Sequence, residues 1–184
     1  MALRLGGMGV PRNCDKMGSQ DQILKGLQAW AGQFYGADAT VERLVRLSGG
    51  ASQETWSLDV EQGGKVVDLI LRRVPGGVSV ARNSEAIGLG TEAKLLSCAE
   101  GEVPAPKVVQ VFEPDSDIGE AFLMNRIPGQ TIARKILRDD IYSAARGRLT
   151  EQCGQALAAI HQIPPEALPD LPKSGGLDQL GQIR

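Results

Sequence analysis

Residues 46–60 read RLSGGASQETWSLDV and carry the first indication of the fold. A serine and two glycines are followed by small polar residues, and the stretch lies between two runs typical of β-strands. Backbone N–H groups in such a loop can approach phosphate oxygens, because little side chain intervenes. The candidate phosphate-binding residues are Ser48, Gly49, Gly50, Ala51 and Ser52. Taken alone, however, the two glycines are more simply explained as an ordinary turn.

The letters LSGG at positions 47–50 also open the signature loop of ABC-type ATPases. That class of protein requires a G-x-x-x-x-G-K-[ST] phosphate loop upstream and an acidic pair after a following apolar strand. The sequence contains no such loop, and its apolar run VVDLILRR ends in two arginines. We therefore reject that interpretation.

The composition is typical of a globular protein that binds a small molecule. The 184 residues are 42% hydrophobic and 23% charged, with a formal net charge of −2. No basic cluster predicts a nucleic-acid or membrane partner. Cys14, Cys98 and Cys153 are widely spaced, which argues against a disulfide framework or a zinc site. No segment has the apolar length of a signal peptide or a membrane span, so we expect a cytoplasmic location.

The N-terminal part predicts a leader followed by a helix. Residues 1–18 show no hydrophobic periodicity, and we expect a disordered leader. The next four residues, SQDQ, have the form of a capping box, in which Ser19 and Gln22 exchange hydrogen bonds with the backbone. Apolar residues then follow at helical spacing, so a helix is predicted from Ser19 to about Gly36.

The rest of the chain predicts an α+β fold with a five-stranded antiparallel sheet. Alternating residues in TWSLDV and the pair Gly63-Gly64 indicate a hairpin. The expected strands cover residues 41–47, 55–60, 65–72, 107–112 and 121–126. A helix over 85–99 is inserted after the third strand, and a second helix is predicted from Asp139 to His161.

The third strand ends in a candidate phosphate-binding cation. In DLILRR, the side chains of Asp68, Ile70 and Arg72 alternate along the strand and therefore share one face. We expect Ile70 to lie beside a nucleotide base and Arg72 to reach the phosphates. The simpler alternative, a cationic strand end that extends into solvent, suits Arg73.

A glutamate on the inserted helix is a candidate partner for that cation. Glu92 falls at helical spacing with Leu89, Leu96 and Ala99, which places a carboxylate within an apolar stripe. An unpaired carboxylate there would cost several kcal/mol, so a cation is expected opposite it. Arg72 is the natural candidate, and the alternative is a glutamate at the edge of the stripe that points into water.

The fifth strand runs directly into a Pro-Gly pair in AFLMNRIPGQ. A strand that ends in this way is typical of a hinge between two lobes, and its exposed backbone can pair with the edge of an adenine. A simple domain linker explains the pattern equally well, and both interpretations can hold together.

The ordered set of motifs resembles the N-terminal part of the aminoglycoside phosphotransferase and choline kinase family, which are protein-kinase-like enzymes that phosphorylate small molecules. The motifs are LSGGASQETW, LILRR, TEAKLL, VPAPKVV, AFLMNRIPGQ and LAAIHQIP, spread over residues 20–184. The resemblance implies a kinase-like nucleotide-binding lobe over 19–126, followed over 127–184 by a hinge and the first helices of a truncated helical lobe. It also implies transfer of the γ-phosphoryl group of ATP to a substrate hydroxyl, with ATP or GTP and Mg²⁺ as cofactors of the complete enzyme.

The resemblance assigns roles to individual residues. It implies that the loop from Ser48 to Ser52 covers the phosphates, that Arg72 holds them and that Glu92 positions Arg72. Met124 would lie at the back of the adenine pocket, while the Asn125 carbonyl and the Ile127 N–H pair with the base. His161 resembles a structural histidine of the family.

The sequence also departs from the family pattern. Arg72 stands where lysine is usual, and the catalytic H-G-D segment and a later metal-binding aspartate have no counterpart, because the one histidine is followed by glutamine. We therefore expect no catalytic or metal-binding residue in these 184 residues, no activity of the chain alone, and self-association through the incomplete helical lobe. The acceptor is open among an aminoglycoside, choline, a sugar and a hydroxy acid. The alternative function is a non-catalytic nucleotide-binding or interaction module.

Overall fold

The computed structural model describes residues 13–48, 53–77, 87–164 and 166, with side chains from residue 20 onward. The strands are β1 (Thr40–Arg46), β2 (Glu54–Gln62), β3 (Lys65–Arg73), β4 (Val108–Phe112) and β5 (Ala121–Asn125). The α-helices are α1 (Asn13–Phe34), α2 (Leu89–Ala99), α3 (Ala133–Arg138) and α4 (Ser143–Ile160).

The five strands form one sheet in the order β1-β2-β3-β5-β4, and each neighbouring pair is antiparallel. The predicted α+β fold, with a five-stranded sheet and a helix after the third strand, is confirmed. The hairpin between β2 and β3 turns at Gly63 and Gly64, whose φ angles are 56° and 79°. Positive φ at both positions is strained for other residue types, which explains why glycine is used twice.

Helix α1 packs on one face of the sheet and forms the larger core. Apolar side chains of α1 meet alternate residues of β2, β3 and β5, as the two-residue period of a strand requires. The large, fully buried side chains of this core are Ile23, Leu27, Leu58, Val60, Leu69, Leu71 and Leu123. The ring of Tyr35 packs edge-on against Trp30, and burial raises the pKa of its hydroxyl.

Helix α2 packs on the opposite face, over β5 and β4. Its buried residues Leu89 and Ala93 contact Phe122, and Met124 packs against the same cluster. The two helices therefore enclose the sheet as a three-layer arrangement. Because α2 covers the β5 and β4 side, the face of β2 and β3 that carries Ile70 and Arg72 stays partly exposed.

The first helix begins earlier than predicted. It starts at Asn13, so the expected helix start at Ser19 is wrong, and residues 13–18 of the predicted leader are helical. Lys16 and Met17 have good helix propensity, which lets the helix extend past a possible cap. The Gln22 side chain donates to the Asp117 carbonyl at 3.3 Å instead of closing a capping box. Residues 1–12 lie outside the described residues.

Two other predicted boundaries also differ. Helix α2 begins at Leu89 and not near Glu85, because Gly88 is extended and the Glu120 side chain accepts a hydrogen bond from the Leu89 N–H at 3.3 Å. The predicted helix from Asp139 begins instead at Ser143, after a 3₁₀ turn over Asp140–Tyr142. The short helix α3 was not predicted, since its six residues are too few to show a periodicity.

The helices after β5 contribute nothing to either core. Neither α3 nor α4 has a buried residue, although several of their side chains are large and apolar. In the part of the chain that the structure describes, no helix is both long and apolar enough to cross a membrane.

Candidate functional site

Arg72 and Glu92 form an ion pair between β3 and α2, as the sequence predicts. The Arg72 Nη2 donates to Glu92 Oε2 at 3.3 Å, and Nε lies 3.0 Å from Oε1. The second contact is electrostatic, because the Nε–H is not aligned on the oxygen. Both side chains are about 30% exposed, at 30% and 28%. The pair is therefore accessible to a ligand from the open side of the sheet.

Glu92 is not inside the apolar stripe of α2, which corrects one premise of the prediction. The buried residues of the helix are Leu89 and Ala93, with Leu96 partly buried beside them. Glu92 lies at the edge of this stripe and reaches Arg72 from there. The ion pair thus forms without full burial of the carboxylate, and its desolvation cost is correspondingly smaller.

Ile70 and Met124 lie side by side on the same face as Arg72. They are directly opposite each other in the pairing of β3 with β5, and Arg72 is opposite Phe122 one step further along. Both Ile70 and Met124 are partly exposed. The structure therefore places an apolar pair, one residue on β3 and one on β5, next to a cation on the same face of the sheet.

The predicted phosphate loop leaves the sheet at the Arg72 end. The Leu47 N–H donates to the Thr55 carbonyl at 2.8 Å, and Thr55 is the partner of Arg72 across β2 and β3. Ser48 follows Leu47 as an exposed bend. The other predicted loop residues, Gly49, Gly50, Ala51 and Ser52, lie outside the described residues. The described residues on either side of the loop, Ser48 and Thr55, lie at the Arg72 end of the sheet.

The predicted base-pairing groups lie where β5 ends. The Asn125 N–H donates to the Lys107 carbonyl at 3.0 Å, and its side-chain oxygen accepts from the Lys107 N–H. Ile127 is 53% exposed, and its N–H has no hydrogen-bond partner among the described residues. This segment therefore offers a free backbone donor next to a strand end that is fixed in place.

Arg126, between those two residues, has contacts that the sequence did not indicate. Its Nη1 donates to Ser57 Oγ at 2.7 Å and to Asp59 Oδ1 at 2.9 Å, and its Nη2 lies 2.5 Å from Asp68 Oδ1. The only available signal was the alternation of Asp59 and Asp68 on their strands. Because strand register cannot be read from one sequence, their meeting with Arg126 was not predictable.

Arg73 is buried, so the prediction that it extends into solvent is wrong. Its side chain is 6% exposed, its Nη1 lies 2.9 Å from Glu54 Oε2, and its Nε donates to the Ile118 carbonyl at 2.6 Å. Arg73 alternates with Arg72 and so faces the α1 side of the sheet, where Glu54 compensates its charge.

One cleft of the described structure lies away from these residues. It is lined by Trp30, Phe112 and Asp117, has a volume of about 340 Å³ and opens beside α1. Its lining includes none of Arg72, Glu92 and Met124. The described residues of the candidate site form one open wall. The described residues also contain no group of three or more histidine, cysteine, aspartate or glutamate side chains placed to hold a metal ion.

Comparison with known proteins identifies the family. Residues 43–177, more than half of the chain, match the model of the phosphotransferase enzyme family, APH. The chain belongs to this phosphotransferase family. The matched residues include the loop after Leu47, the Arg72–Glu92 pair, the linker after β5 and α4.

A solved structure similar to this member of the family is the crystal structure of aminoglycoside phosphotransferase APH(4)-Ia. The two share 16% sequence identity with a TM-score of 0.47, over 79% of this chain. The chain spans 40% of the length of that protein. A search of curated protein sequences found no significant match.

Proposed function

We propose that the chain provides the nucleotide-binding lobe of an ATP-dependent phosphotransferase, which transfers the γ-phosphoryl group to the hydroxyl of a small molecule. The observation that carries this proposal is the ion pair between Arg72 and Glu92. Glu92 holds the guanidinium by two of its nitrogens, which directs the third, Nη1, away from the carboxylate. In the described residues Nη1 makes no hydrogen bond, so it can donate to a phosphate oxygen.

The neighbouring groups fit the rest of a nucleotide. Ile70 and Met124 supply an apolar surface for the base, and the free Ile127 N–H supplies a donor for its edge. The loop that begins at Ser48 starts at the phosphate end of this row. The proposed partners are therefore a nucleotide and a small hydroxyl-bearing acceptor.

We assign no catalytic or metal-binding residue to this chain. A bound Mg²⁺ would neutralise charge on the phosphates during transfer. Arg72 performs part of that task from the protein side, since its guanidinium is a cation that can donate hydrogen bonds to phosphate oxygens. Glu92 keeps it aimed at the phosphates.

Nucleotide binding tests the proposal directly. An isotope-labelled 184-residue chain is titrated with ATP and followed by amide NMR signals. We expect a weak affinity in the millimolar range, because a single open wall gives a ligand few contacts. The signals that shift should be those of Arg72, Met124 and Ile127. Replacing Arg72 by alanine should weaken binding by about tenfold, the effect of one lost charge-assisted hydrogen bond.

A matched control is Arg148→Ala, which removes an exposed guanidinium of α4 that has no ion pair within the described residues. This variant should bind ATP like the unmodified chain. Equal affinity of the Arg72→Ala and unmodified chains, or shifts confined to other surfaces, would reject the proposed site.

A further inference from the structure

Arg126 connects the end of β5 to two other strands. Its guanidinium contacts Ser57 and Asp59 on β2 and Asp68 on β3, at 2.7, 2.9 and 2.5 Å. Its backbone N–H also donates to the Asp68 carbonyl at 3.0 Å. One residue thus forms four polar contacts, and its side chain extends across the whole width of β3 to reach β2.

These contacts lie on the same face of the sheet as the proposed nucleotide site. Ser57 is opposite Ile70, and Asp59 is opposite Asp68. Asp68 and Arg72 are four residues apart on one strand, or about 13 Å. The Arg126 cluster therefore lies at the end of the row of site residues away from Arg72, with Ser57 beside Ile70 and the two aspartates two positions further along their strands, next to the linker.

The cluster contains one arginine and two aspartates, and its side chains differ in how exposed they are. Asp59 is 19% exposed and Arg126 31%, while the hydroxyl-bearing Ser57 is buried. A second guanidinium, that of Arg43, approaches Asp59 from the solvent side at 3.9 Å with a side chain that is 59% exposed. Arg43 contacts the same carboxylate but makes no hydrogen bond or ion pair with residues 126–132. Replacing Arg43 therefore removes a cation next to Asp59 without changing the linker, which makes it a control for replacing Arg126.

The position of Arg126 in the chain indicates which backbone groups this cluster holds in place. It lies between Asn125 and Ile127, which carry the two backbone groups assigned to the base. A guanidinium fork held by three acceptors fixes the rotation of the chain at this point. The same side chain thereby sets the direction of the Asn125 carbonyl and of the Ile127 N–H.

We propose that Arg126 is a positioning residue for base recognition, which holds the Asn125–Ile127 backbone in the orientation that pairs with a nucleobase. This inference rests on the proposed function, since it requires that a nucleotide bind to this face. It predicts a division of roles between the two arginines. Arg72, on β3, contacts the phosphates, and Arg126, directly after β5, orients the backbone groups that pair with the base.

The division can be tested with two ligands, ATP and inorganic tripolyphosphate, which has the phosphates without the base. Both are titrated into the unmodified chain and into Arg126→Met, Arg126→Lys and Arg43→Met. Arg126→Met should weaken ATP binding by about tenfold, which corresponds to a loss of about 1.4 kcal/mol of binding free energy, because the backbone groups that pair with the base are no longer held in place. Tripolyphosphate binding should be unchanged. Arg126→Lys should show a similar loss, because an ammonium group cannot form the planar fork.

The Arg43→Met control should bind both ligands like the unmodified chain. Thermal unfolding of each variant shows whether it is folded, and if Arg126→Met is not, Ser57→Ala replaces it. This milder change removes one of the three acceptors and should lower ATP affinity selectively by a smaller factor.

The outcomes separate the two proposals. If a folded Arg126 variant binds ATP normally, or loses ATP and tripolyphosphate equally, the positioning role is wrong while the nucleotide site stands. If the unmodified chain binds neither ligand, the proposed function itself fails and the inference fails with it.

Discussion

Arg72 and Arg73, at the end of β3, are adjacent in sequence but lie in different environments. Arg72 is 30% exposed and is held by a carboxylate that is itself 28% exposed. Arg73 is 6% exposed and is held by Glu54, at 11%. Since alternate side chains face opposite sides of the sheet, Arg72 remains available to a ligand and Arg73 becomes part of the structure.

Replacing Arg73 by methionine should strongly destabilise the fold. The substitution leaves the Glu54 carboxylate buried with Arg46, 3.6 Å away, as its one remaining ion-pair partner among the described residues. Breaking a buried ion pair from one side costs about 3 kcal/mol or more. Urea unfolding followed by tryptophan fluorescence measures this loss.

Two further variants calibrate that measurement. Arg43→Met removes an exposed cation and should change the unfolding free energy by less than about 1 kcal/mol. The double change Glu54→Leu with Arg73→Met removes the buried carboxylate together with the buried guanidinium and should recover much of the loss. Arg46 also loses its contact with Glu54, but its side chain is 53% exposed and stays hydrated. If Arg73→Met is no worse than Arg43→Met, the buried pair does not stabilise the fold.

At the scale of elements, what could be predicted followed from local periodicity. Alternation in β2 and β3 and the two hairpin glycines place those strands correctly, and the glycine and proline residues locate most connections. The ion pair between Arg72 and Glu92 was predicted from the alternation of Arg72 on its strand and the helical spacing of Glu92, although Glu92 lies at the edge of the apolar stripe and not within it. The Arg126 cluster and the burial of Arg73 were not predictable, since both depend on which strands are neighbours and on which face each helix covers.

The connection after β3 and the loop before β5 meet by a close backbone contact. The Val74 N–H donates to the Glu120 carbonyl at 3.0 Å, and the Glu120 N–H donates to the Gly77 carbonyl at 3.1 Å. The Glu120 side chain in turn accepts from the N–H at the start of α2. This contact therefore fixes the position of α2, and with it that of Glu92.

A methyl group at Gly119 should disrupt this contact. Gly119 has a φ of 80°, and an added Cβ would lie 2.6 Å from the Gly77 Cα. Gly119→Ala should lower the unfolding free energy by about 2 kcal/mol, from backbone strain and the clash together. The control Gly90→Ala lies within α2 with no atom within 4 Å of the added Cβ, and it should raise stability by about 1 kcal/mol. Equal effects of the two substitutions in thermal unfolding would contradict the proposed contact.

At the scale of the whole molecule, the described part of the chain has a sheet covered by a helix on each face, followed by two helices that join neither core. Both cores lie within the sheet and the helices α1 and α2. Helix α4 carries Leu149, Leu157 and Ile160 with 45%, 55% and 46% of their surfaces exposed. Their spacing of eight and three residues places them on one side of the helix. The described part of the chain thus presents an apolar surface that none of its own elements covers.

We propose that this surface causes the 184-residue chain to self-associate. Contiguous apolar patches larger than roughly a few hundred Å² are rare on monomers, and burial of apolar surface between two copies would gain roughly 25 cal/mol for each Å² removed from water. Sedimentation velocity should show an average mass that rises with concentration. Replacing Leu149, Leu157 and Ile160 together by serine should restore the monomer, whereas Arg148→Gln with Glu151→Gln, which preserves the net charge on the same helix, should not. A monomer at every concentration, or equal association of the two variants, would show that the α4 surface does not drive assembly.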